Sequence, residues 1–292
     1  METPDRIIQG MAVDGHFRVI AAQTTTAVET AREILDLSPV AAEALGRTMT
    51  GALLLARLLD KDVRNQYVTL RFEGNGPLGT VIADGTVTGN VRGYVANPVP
   101  PDPALDVESA IGNGSLTVVR GTPPLGKPYT SQILLAGSGI ATDLTRYLMR
   151  SEQIASAVLL GVMNRRDGVA AAGGMIIQAF PQAPEDAISA IEKSVREAPS
   201  FSKLLETMQI EEAVATVLQG TGYKQIDGYS VPVAYACQCT RDRALAPLAL
   251  LGRDEIQEMI DEGGTEVVCQ FCGRKYQFGQ DDLLTLTATH EA

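Results

Sequence analysis

Two short motifs, Cys237-Gln238-Cys239 and Cys269-Gln270-Phe271-Cys272, contain all four cysteines of the 292-residue chain. Twenty-nine residues separate the motifs, and the 236 residues before them contain no cysteine. Two close cysteine pairs joined by a loop are typical of a four-thiolate metal site, and zinc is the metal that this donor set favours. The sequence therefore predicts that Cys237, Cys239, Cys269 and Cys272 bind one Zn²⁺ ion.

The residues around these motifs predict a small module of their own, which we assign to residues 231–292. Residues 244–251 and 255–262, between the motifs, have helical patterns, and Gly263-Gly264 ends the second one. Residues 266–268 and 275–278 flank the second motif as strands, which is the arrangement of a zinc-knuckle hairpin. Gly273 would permit the tight turn that aims backbone N–H groups at the sulfur atoms.

Three interpretations of the cysteines remain open from the residues alone. Four thiolates fill a tetrahedron, so the metal would be structural rather than catalytic. A redox CxxC of the thioredoxin type is disfavoured, because that motif normally begins a helix. The third interpretation is a switch, since thiolates are the form that oxidants attack. Structural zinc contributes about 10–16 kcal/mol to a small module, as much as the stability of a typical domain, about 5–15 kcal/mol. A module that loses the metal on oxidation should therefore unfold.

Residues 1–180 predict an α/β or α+β domain in which a twisted β-sheet packs against helices. Strands are expected at residues 17–22, 67–73, 81–83, 91–95, 133–136, 154–163 and 169–180, with turns at Asp84-Gly85 and Asp167-Gly168. Ser38-Pro39 predicts the start of a helix with a wide apolar stripe. Another helix is expected to begin at Thr142, and Gly173-Gly174 to mark a bulge.

Residues 181–230 predict a helical linker between this domain and the cysteine module. Three short amphipathic patterns follow Pro181-Gln182-Ala183-Pro184 and end near Gly220. Helices this short are marginal alone, so they must pack on another part of the protein. The packing could be permanent or conditional.

Composition excludes several classes of function. The net charge is −11, with 24 Lys and Arg against 35 Asp and Glu, so we expect neither a nucleic-acid partner nor an anionic membrane surface. The first six residues do not resemble a signal peptide, and no apolar run is long enough to span a membrane. Cysteines this sparse suit a reducing compartment, so we expect a cytoplasmic protein.

Two enzyme hypotheses compete with a binding or regulatory role. The first is an α/β enzyme with a structural zinc module, which requires an acid–base cluster that the sequence does not offer. His16 and His290 are the only histidines, and we interpret both as ordinary surface residues. The glycine-rich segments match no phosphate-binding motif. The second is a thiol–disulfide oxidoreductase. We therefore expect no catalytic residues.

The motifs resemble those of the family of bacterial redox-regulated heat-shock chaperones of 33 kilodaltons. Residues 237–243, CQCTRDR, resemble the family's C-x-C-[ST]-[RK]-[DE]-R run, and residues 266–272, EVVCQFC, resemble its E-x-x-C-x-F-C run. Thr240 stands where Ser is commoner in the family. The similarity spans essentially the whole chain, with further matches at residues 44–48 (ALGRT), 76–79 (GPLG), 91–94 (VRGY), 151–153 (SEQ) and 172–174 (AGG).

This resemblance implies an ATP-independent holdase chaperone that binds unfolding client proteins. It implies a reduced, inactive form with one Zn²⁺ per chain. On oxidation, disulfides would join Cys237 with Cys239 and Cys269 with Cys272, the zinc would be released, and the module and linker would unfold. The active form would be a homodimer. Undocking of the linker would then expose apolar surface for clients.

Overall fold

The computed structural model describes residues 4–59, 63, 65–102, 104–123 and 127–289, with the side chains of 287–289 excluded. Residues 1–3 and His290, which the predictions about the N-terminus and the histidines involve, lie outside the described residues. The chain forms two compact units, Met1–Ala236 and Cys237–Ala292. The larger unit contains the strands β1 Arg6–Ala12, β2 Phe17–Gln23, β3 Tyr67–Gly74, β4 Thr80–Thr86, β5 Asn90–Val95, β6 Gly114–Gly121, β7 Tyr129–Leu134, β8 Ser156–Arg165, β9 Gly168–Ala179, β10 Lys224–Pro232 and β11 Ala234–Tyr235.

These strands form two sheets, where the sequence suggested one. The first sheet has the order β10-β1-β2-β9-β8, and the second sheet has the order β11-β5-β4-β3-β6-β7. The helices of the unit are α1 Thr25–Leu35, α2 Pro39–Ala56, α3 Val107–Ile111, α4 Ile140–Ser151, α5 Glu185–Glu197, α6 Phe201–Thr207 and α7 Ile210–Val217. The mixed α/β class is confirmed.

Helix α2 forms the centre of the larger unit because it packs against both sheets. It contacts β3, β4 and β5 of the second sheet and β2, β8 and β9 of the first. Its start is as predicted, with Pro39 in the first turn and the Ser38 side chain accepting a hydrogen bond from the Ala41 amide. Most of its residues are buried, which explains why its apolar stripe is so wide.

Three local predictions are wrong, two of them because a glycine serves close packing. Asp84-Gly85 lies inside β4, and a Cβ at Gly85 would come within 2.6 Å of the backbone of Ala52 and Leu53 in α2. The β8–β9 ladder shifts register at Met163 and Asn164, not at Gly173-Gly174. A Cβ on Gly173 would meet Ala22 O at 2.5 Å. The helix predicted from Thr142 begins at Ile140, because Gly139, with φ of 101°, serves as its N-cap.

Helices α5, α6 and α7, the linker helices, cover one face of the first sheet. Helix α6 packs on β8 and β9, and α7 packs on β2. We call the sheet side of this interface the covered face; its buried residues are Ile8, Ala12, Phe17, Val19, Ala21, Ala171, Met175 and Ile177. The chain then returns as β10, which pairs with β1 at the sheet edge. The three helical patterns predicted in the linker are confirmed.

The smaller unit has its own core and hairpin. Its elements are α8 Arg241–Leu245, a 3-10 turn Leu248–Leu250, α9 Arg253–Asp261, β12 Gly264–Val268, β13 Lys275–Gly279 and α10 Gln280–Thr289. Strands β12 and β13 pair antiparallel, as expected for the predicted hairpin. Among the residues whose side chains are described, the buried core consists of Leu248, Ile256, Ile260, Phe278, Leu283 and Leu286.

The contact between Gly85 and α2 predicts the effect of a single methyl group. Because the atoms in the way belong to the helix backbone, Gly85→Ala should lower the free energy of unfolding of the larger unit by about 3 kcal/mol. Denaturant unfolding followed by circular dichroism measures this change. Gly279→Ala is the control, since nothing lies within 4 Å of its Cβ position. Equal stability of the two variants would contradict the close packing of β4 on α2.

Candidate metal centre

The four cysteines lie on two loops of the smaller unit. Cys237 and Cys239 precede α8, whose first turn is capped by the Thr240 side chain, which accepts a hydrogen bond from the Arg243 amide at 3.2 Å. Cys269 and Cys272 lie in the turn between β12 and β13. A capped helix and a paired hairpin are rigid supports, so each pair of sulfur atoms is held by regular structure nearby.

The turn around the second pair is the tight one that the sequence predicts. The Cys269 amide donates to Arg274 O at 2.9 Å, and the Gly273 amide donates back to Cys269 O at 2.8 Å. Gly273 has φ of 66°, a conformation that favours glycine. The turn therefore closes on itself by backbone hydrogen bonds and leaves both sulfur atoms on one side.

The sulfur atoms lie at the separations that a tetrahedral metal site requires. All four lie within 4.8 Å of one another. Cys237 Sγ is 3.7 Å from Cys269 Sγ, and Cys239 Sγ is 3.4 Å from Cys272 Sγ. A tetrahedron with Zn–S bonds of about 2.3 Å has S···S edges of about 3.8 Å. The four cysteines are free thiols, half-buried, and positioned to bind a metal ion.

Three hydrogen bonds support negative charge on the sulfur atoms. The Cys239 amide donates to the Cys237 sulfur, and the Arg274 amide donates to the Cys272 sulfur. Tyr276, on β13, donates its hydroxyl to Cys239 Sγ at 3.2 Å. The expectation that the turn aims backbone N–H groups at sulfur is thus confirmed at Arg274. Such donors to metal ligands orient them and favour the charged form.

The pKa values of Cys272 and Cys239 show how strongly neighbouring thiols influence one another. Burial, together with hydrogen bonds to the other thiols, raises the pKa of Cys272 to about 12, although the Arg274 amide lowers it. Burial also raises the pKa of Cys239, but hydrogen bonds from Tyr276 and from the other thiols lower it to about 7. One thiolate is therefore favoured at the expense of its neighbours. A divalent cation at the centre would attract all four thiolates and offset half of their charge, so the residues fit a bound metal.

Two positioning residues near the cysteines escaped the sequence reasoning. Arg243 Nη1 donates to Gln238 O at 2.9 Å and so holds the loop between Cys237 and Cys239. Arg241 lies 4.6 Å from the Phe278 ring centroid and pairs with Asp282 at 2.7 Å. Both arginines belong to the run at residues 237–243, so the sequence showed that they were present but did not show what they contact. Tyr276 gave no sequence signal beyond strand alternation.

The rest of the described chain offers no comparable site. Within the described residues, the four cysteines are the one group of His, Cys, Asp or Glu side chains that could hold a metal ion. His16 is half-buried in the turn between β1 and β2, outside any such group. None of the described helices is long and apolar enough to cross a membrane.

Comparison with known proteins agrees with this architecture. The family model for the Hsp33 protein matches residues 5–279. A 33 kDa chaperonin of Thermus thermophilus is 43% identical over 297 residues, covering 97% of this chain and 86% of that protein. The 33 kDa chaperonin of Limosilactobacillus fermentum is 39% identical, covering 98% and 99%. The crystal structure of the Thermotoga maritima 33 kDa chaperonin superposes with a TM-score of 0.87 at 34% identity, covering 99% of both chains.

These matches define the class of the protein as a chaperone. The chain belongs to the Hsp33 family. The resemblance noted in the sequence is therefore confirmed over nearly the whole chain.

The hydrogen bond from Tyr276 predicts a measurable effect on metal binding. Tyr276→Phe removes a donor to the Cys239 sulfur, and loss of such a partner typically lowers metal affinity about tenfold. Competition with a chromophoric zinc chelator under reducing conditions measures the change. Gln277→Ala, the next residue on the same strand, should leave the affinity unaltered. An unchanged affinity in Tyr276→Phe would show that this contact does not support the site.

Proposed function

We propose that this protein is a redox-regulated, ATP-independent holdase of the bacterial cytoplasm that prevents aggregation of unfolding proteins under oxidative and heat stress. In the resting state Cys237, Cys239, Cys269 and Cys272 hold one Zn²⁺. The observation that carries the proposal is the cluster of four sulfur atoms within 4.8 Å in a unit with a very small core. No catalytic residues are assigned, because the proposed activity is binding of clients.

Zinc, when bound, would supply the positive charge that lets four thiolates coexist. Oxidation would convert Cys237 and Cys239 to one disulfide and Cys269 and Cys272 to the other. Two thiolates lose two electrons when they form a disulfide, and one molecule of hydrogen peroxide takes up these electrons and two protons from solvent to become two waters. Disulfide sulfurs are poor metal ligands, so both loops lose their hold on the ion. The reduced geometry does not favour this pairing over others, since the close S···S contacts at 3.7 and 3.4 Å join one motif to the other.

Loss of the metal should unfold the smaller unit. Its described residues include six buried apolar side chains, and in a domain below about 70–80 residues a single core rarely supplies more than about 3–5 kcal/mol without a metal or disulfide support. The hairpin turn also brings the two sulfurs of Cys269 and Cys272 to one side, and without a cation their charges repel. The unit therefore depends on the metal for its stability.

The linker provides the route from the metal centre to a client-binding surface. We propose that residues 1–180 form the client-binding and dimerisation domain, residues 181–230 the linker, and residues 231–292 the redox sensor. The chain passes from β10 through β11 directly into Cys237. Unfolding of the sensor would release the linker end, and the linker helices have only 13, 7 and 8 residues. Helices this short depend on packing rather than on their own stability.

Undocking of the linker helices would expose apolar surface on both sides of the interface. The covered face includes Phe17, Val19, Met175 and Ile177, and α6 and α7 bury Phe201 and Val214 against it. Such a surface binds unfolded chains without sequence specificity. It would also favour pairing of two copies in the active form. The net charge of −11 would help to keep this state soluble.

Treatment with hydrogen peroxide at mild heat tests the proposed switch. We expect release of about one zinc ion per chain, formation of the two disulfides within the motifs, and suppression of client aggregation that reduction reverses. Chromophoric zinc assay, peptide mapping and light scattering of a thermally unfolding client measure these changes. Protein kept reduced is the control. Zinc release without a gain in anti-aggregation activity would refute the proposal, and insulin reduction would indicate an oxidoreductase instead.

The covered face predicts a variant that is active without oxidant. Val214 is fully buried in α7, so Val214→Asp places a carboxylate in an apolar interface at a cost of several kcal/mol. We expect the linker to undock, and the reduced, zinc-loaded variant to suppress client aggregation. Ala215→Asp is the matched control, since residue 215 is exposed on the same helix. The assignment of this surface to clients would be refuted by a Val214→Asp variant that does not suppress client aggregation, although its circular dichroism spectrum is native and limited proteolysis shows that its linker is undocked.

A further inference from the structure

A cavity of about 380 Å³ lies where the chain leaves the first sheet and enters the linker. Its lining includes Arg18 on β2, Gln178 on β9, Gln153 before β8, Phe180 after β9, and Ile188 on α5. The volume falls in the lower part of the range of small-ligand pockets, about 300–1,000 Å³. The metal centre and the covered face leave this cavity unexplained.

Arg18 brings an uncompensated positive charge to this cavity. Its Nη2 donates to Gln178 Oε1 at 2.6 Å, and its buried Nε has no hydrogen-bond partner among the described residues. No carboxylate of the described residues pairs with it, and its electrostatic neighbour is the Tyr229 phenol. Burial lowers the pKa of Arg18, which is the signature of a guanidinium short of compensating charge. A guanidinium presents five N–H donors and pairs well with a single carboxylate.

Gln153 adds a second, independent observation at the same place. It has φ of 58°, a left-handed conformation that glycine usually adopts just beyond a helix end. The Ile154 amide closes the end of α4 by donating to Leu148 O at 3.2 Å. Glycine would adopt this backbone conformation with less strain, so the conformation does not explain why a glutamine occupies the position. Gln153 is among the residues that line the cavity, and a glutamine amide can both donate to and accept from a ligand.

The remaining walls determine the rest of the ligand. Ile154, Phe180, Pro181 and Ile188 are apolar, and Phe180 remains 42% exposed. Apolar walls with one cation and two amides favour a molecule with an apolar tail and one carboxylate over a strongly hydrated phosphate. We propose that this cavity binds an amphiphilic monocarboxylate, with its head on Arg18 and Gln153 and its tail between Phe180 and Ile188.

Such a ligand would touch the sheet and the linker at once. Arg18 and Gln178 belong to the first sheet, whereas Ile188 belongs to the first linker helix. A ligand that binds only while both parts are together stabilises the docked state by mass action. This consequence rests on the proposed redox function, whereas the binding itself does not. The ligand would raise the oxidant exposure needed to release the linker.

Titration calorimetry on the reduced, zinc-loaded full chain tests the binding step. The probes are octanoate and its neutral counterpart octanamide. We expect saturable binding of one octanoate per chain. Octanamide should bind with at least tenfold lower affinity because it lacks the charge. N-acetylphenylalanine and its amide form a second arm. If N-acetylphenylalanine binds more tightly than octanoate, the ligand is the C-terminal carboxylate of a peptide chain. If octanoate binds more tightly, the ligand is a free carboxylic acid.

Variants connect the binding to the named residues. Arg18→Gln should lower the affinity for octanoate at least tenfold and leave the affinity for octanamide unchanged. Arg18→Lys should lower the affinity for octanoate less than Arg18→Gln does. Arg71→Gln on β3 is the charge-matched control. Gln153→Gly should lower the affinity for octanoate without lowering the midpoint of thermal unfolding, because glycine adopts the left-handed backbone conformation without strain. Equal affinity for octanoate and octanamide, or no loss in either Arg18→Gln or Gln153→Gly, overturns the proposal. These measurements use reduced protein without client, so they stand whether or not oxidation produces holdase activity.

Discussion

Four thiol groups within 4.8 Å of one another can all carry negative charge only if a cation lies between them. Burial and the neighbouring thiols hold the pKa of Cys272 at about 12, while hydrogen bonds lower the pKa of Cys239 to about 7, so the cluster opposes its own full ionisation. The smaller unit is built around this conflict. Its hairpin turn and helix cap hold the two cysteine pairs, whose sulfur atoms come together beside a core with six buried residues among those described. The proposed redox sensor requires a support of this kind, one that the fold needs and that oxidants can remove.

The larger unit is built on the opposite plan. Helix α2 lies against both sheets, and glycines such as Gly85 let strands approach it closely, so apolar packing holds this core together. In the proposed switch, the part of this unit that undocks is the set of linker helices on the covered face. Arg6 pairs with Glu211 on α7 through two hydrogen bonds, at 2.7 and 3.3 Å, and this half-buried pair adds to their docking. Apolar burial holds them, and the same burial makes the exposed face attractive to an unfolded chain.

The sequence was informative where the chemistry is local. The spacing of the cysteines, the turn at Gly273 and the start of α2 at Ser38-Pro39 each depend on a few neighbouring residues, and each was predictable. The split into two sheets was not, because strand patterns do not reveal which strands pair. Gly85 looked like a turn residue because glycine has the same signature in a turn and in a close contact. Tyr276 and Arg243 act on the cysteines through the fold, so their roles could not be read from spacing.

A switch of this kind works only if the docking of the linker falls within a narrow range of stability. Docking that is too strong would survive loss of the sensor, and docking that is too weak would leave the covered face exposed in unstressed cells. Helices of 7 and 8 residues with a few buried anchors such as Phe201 and Val214 suit an intermediate stability. The cavity beside Arg18 involves the first residues of this linker, whereas the cysteines follow its last residues in the chain. A small molecule bound there would change the threshold of the switch without touching the metal centre, because it acts on the docking equilibrium alone.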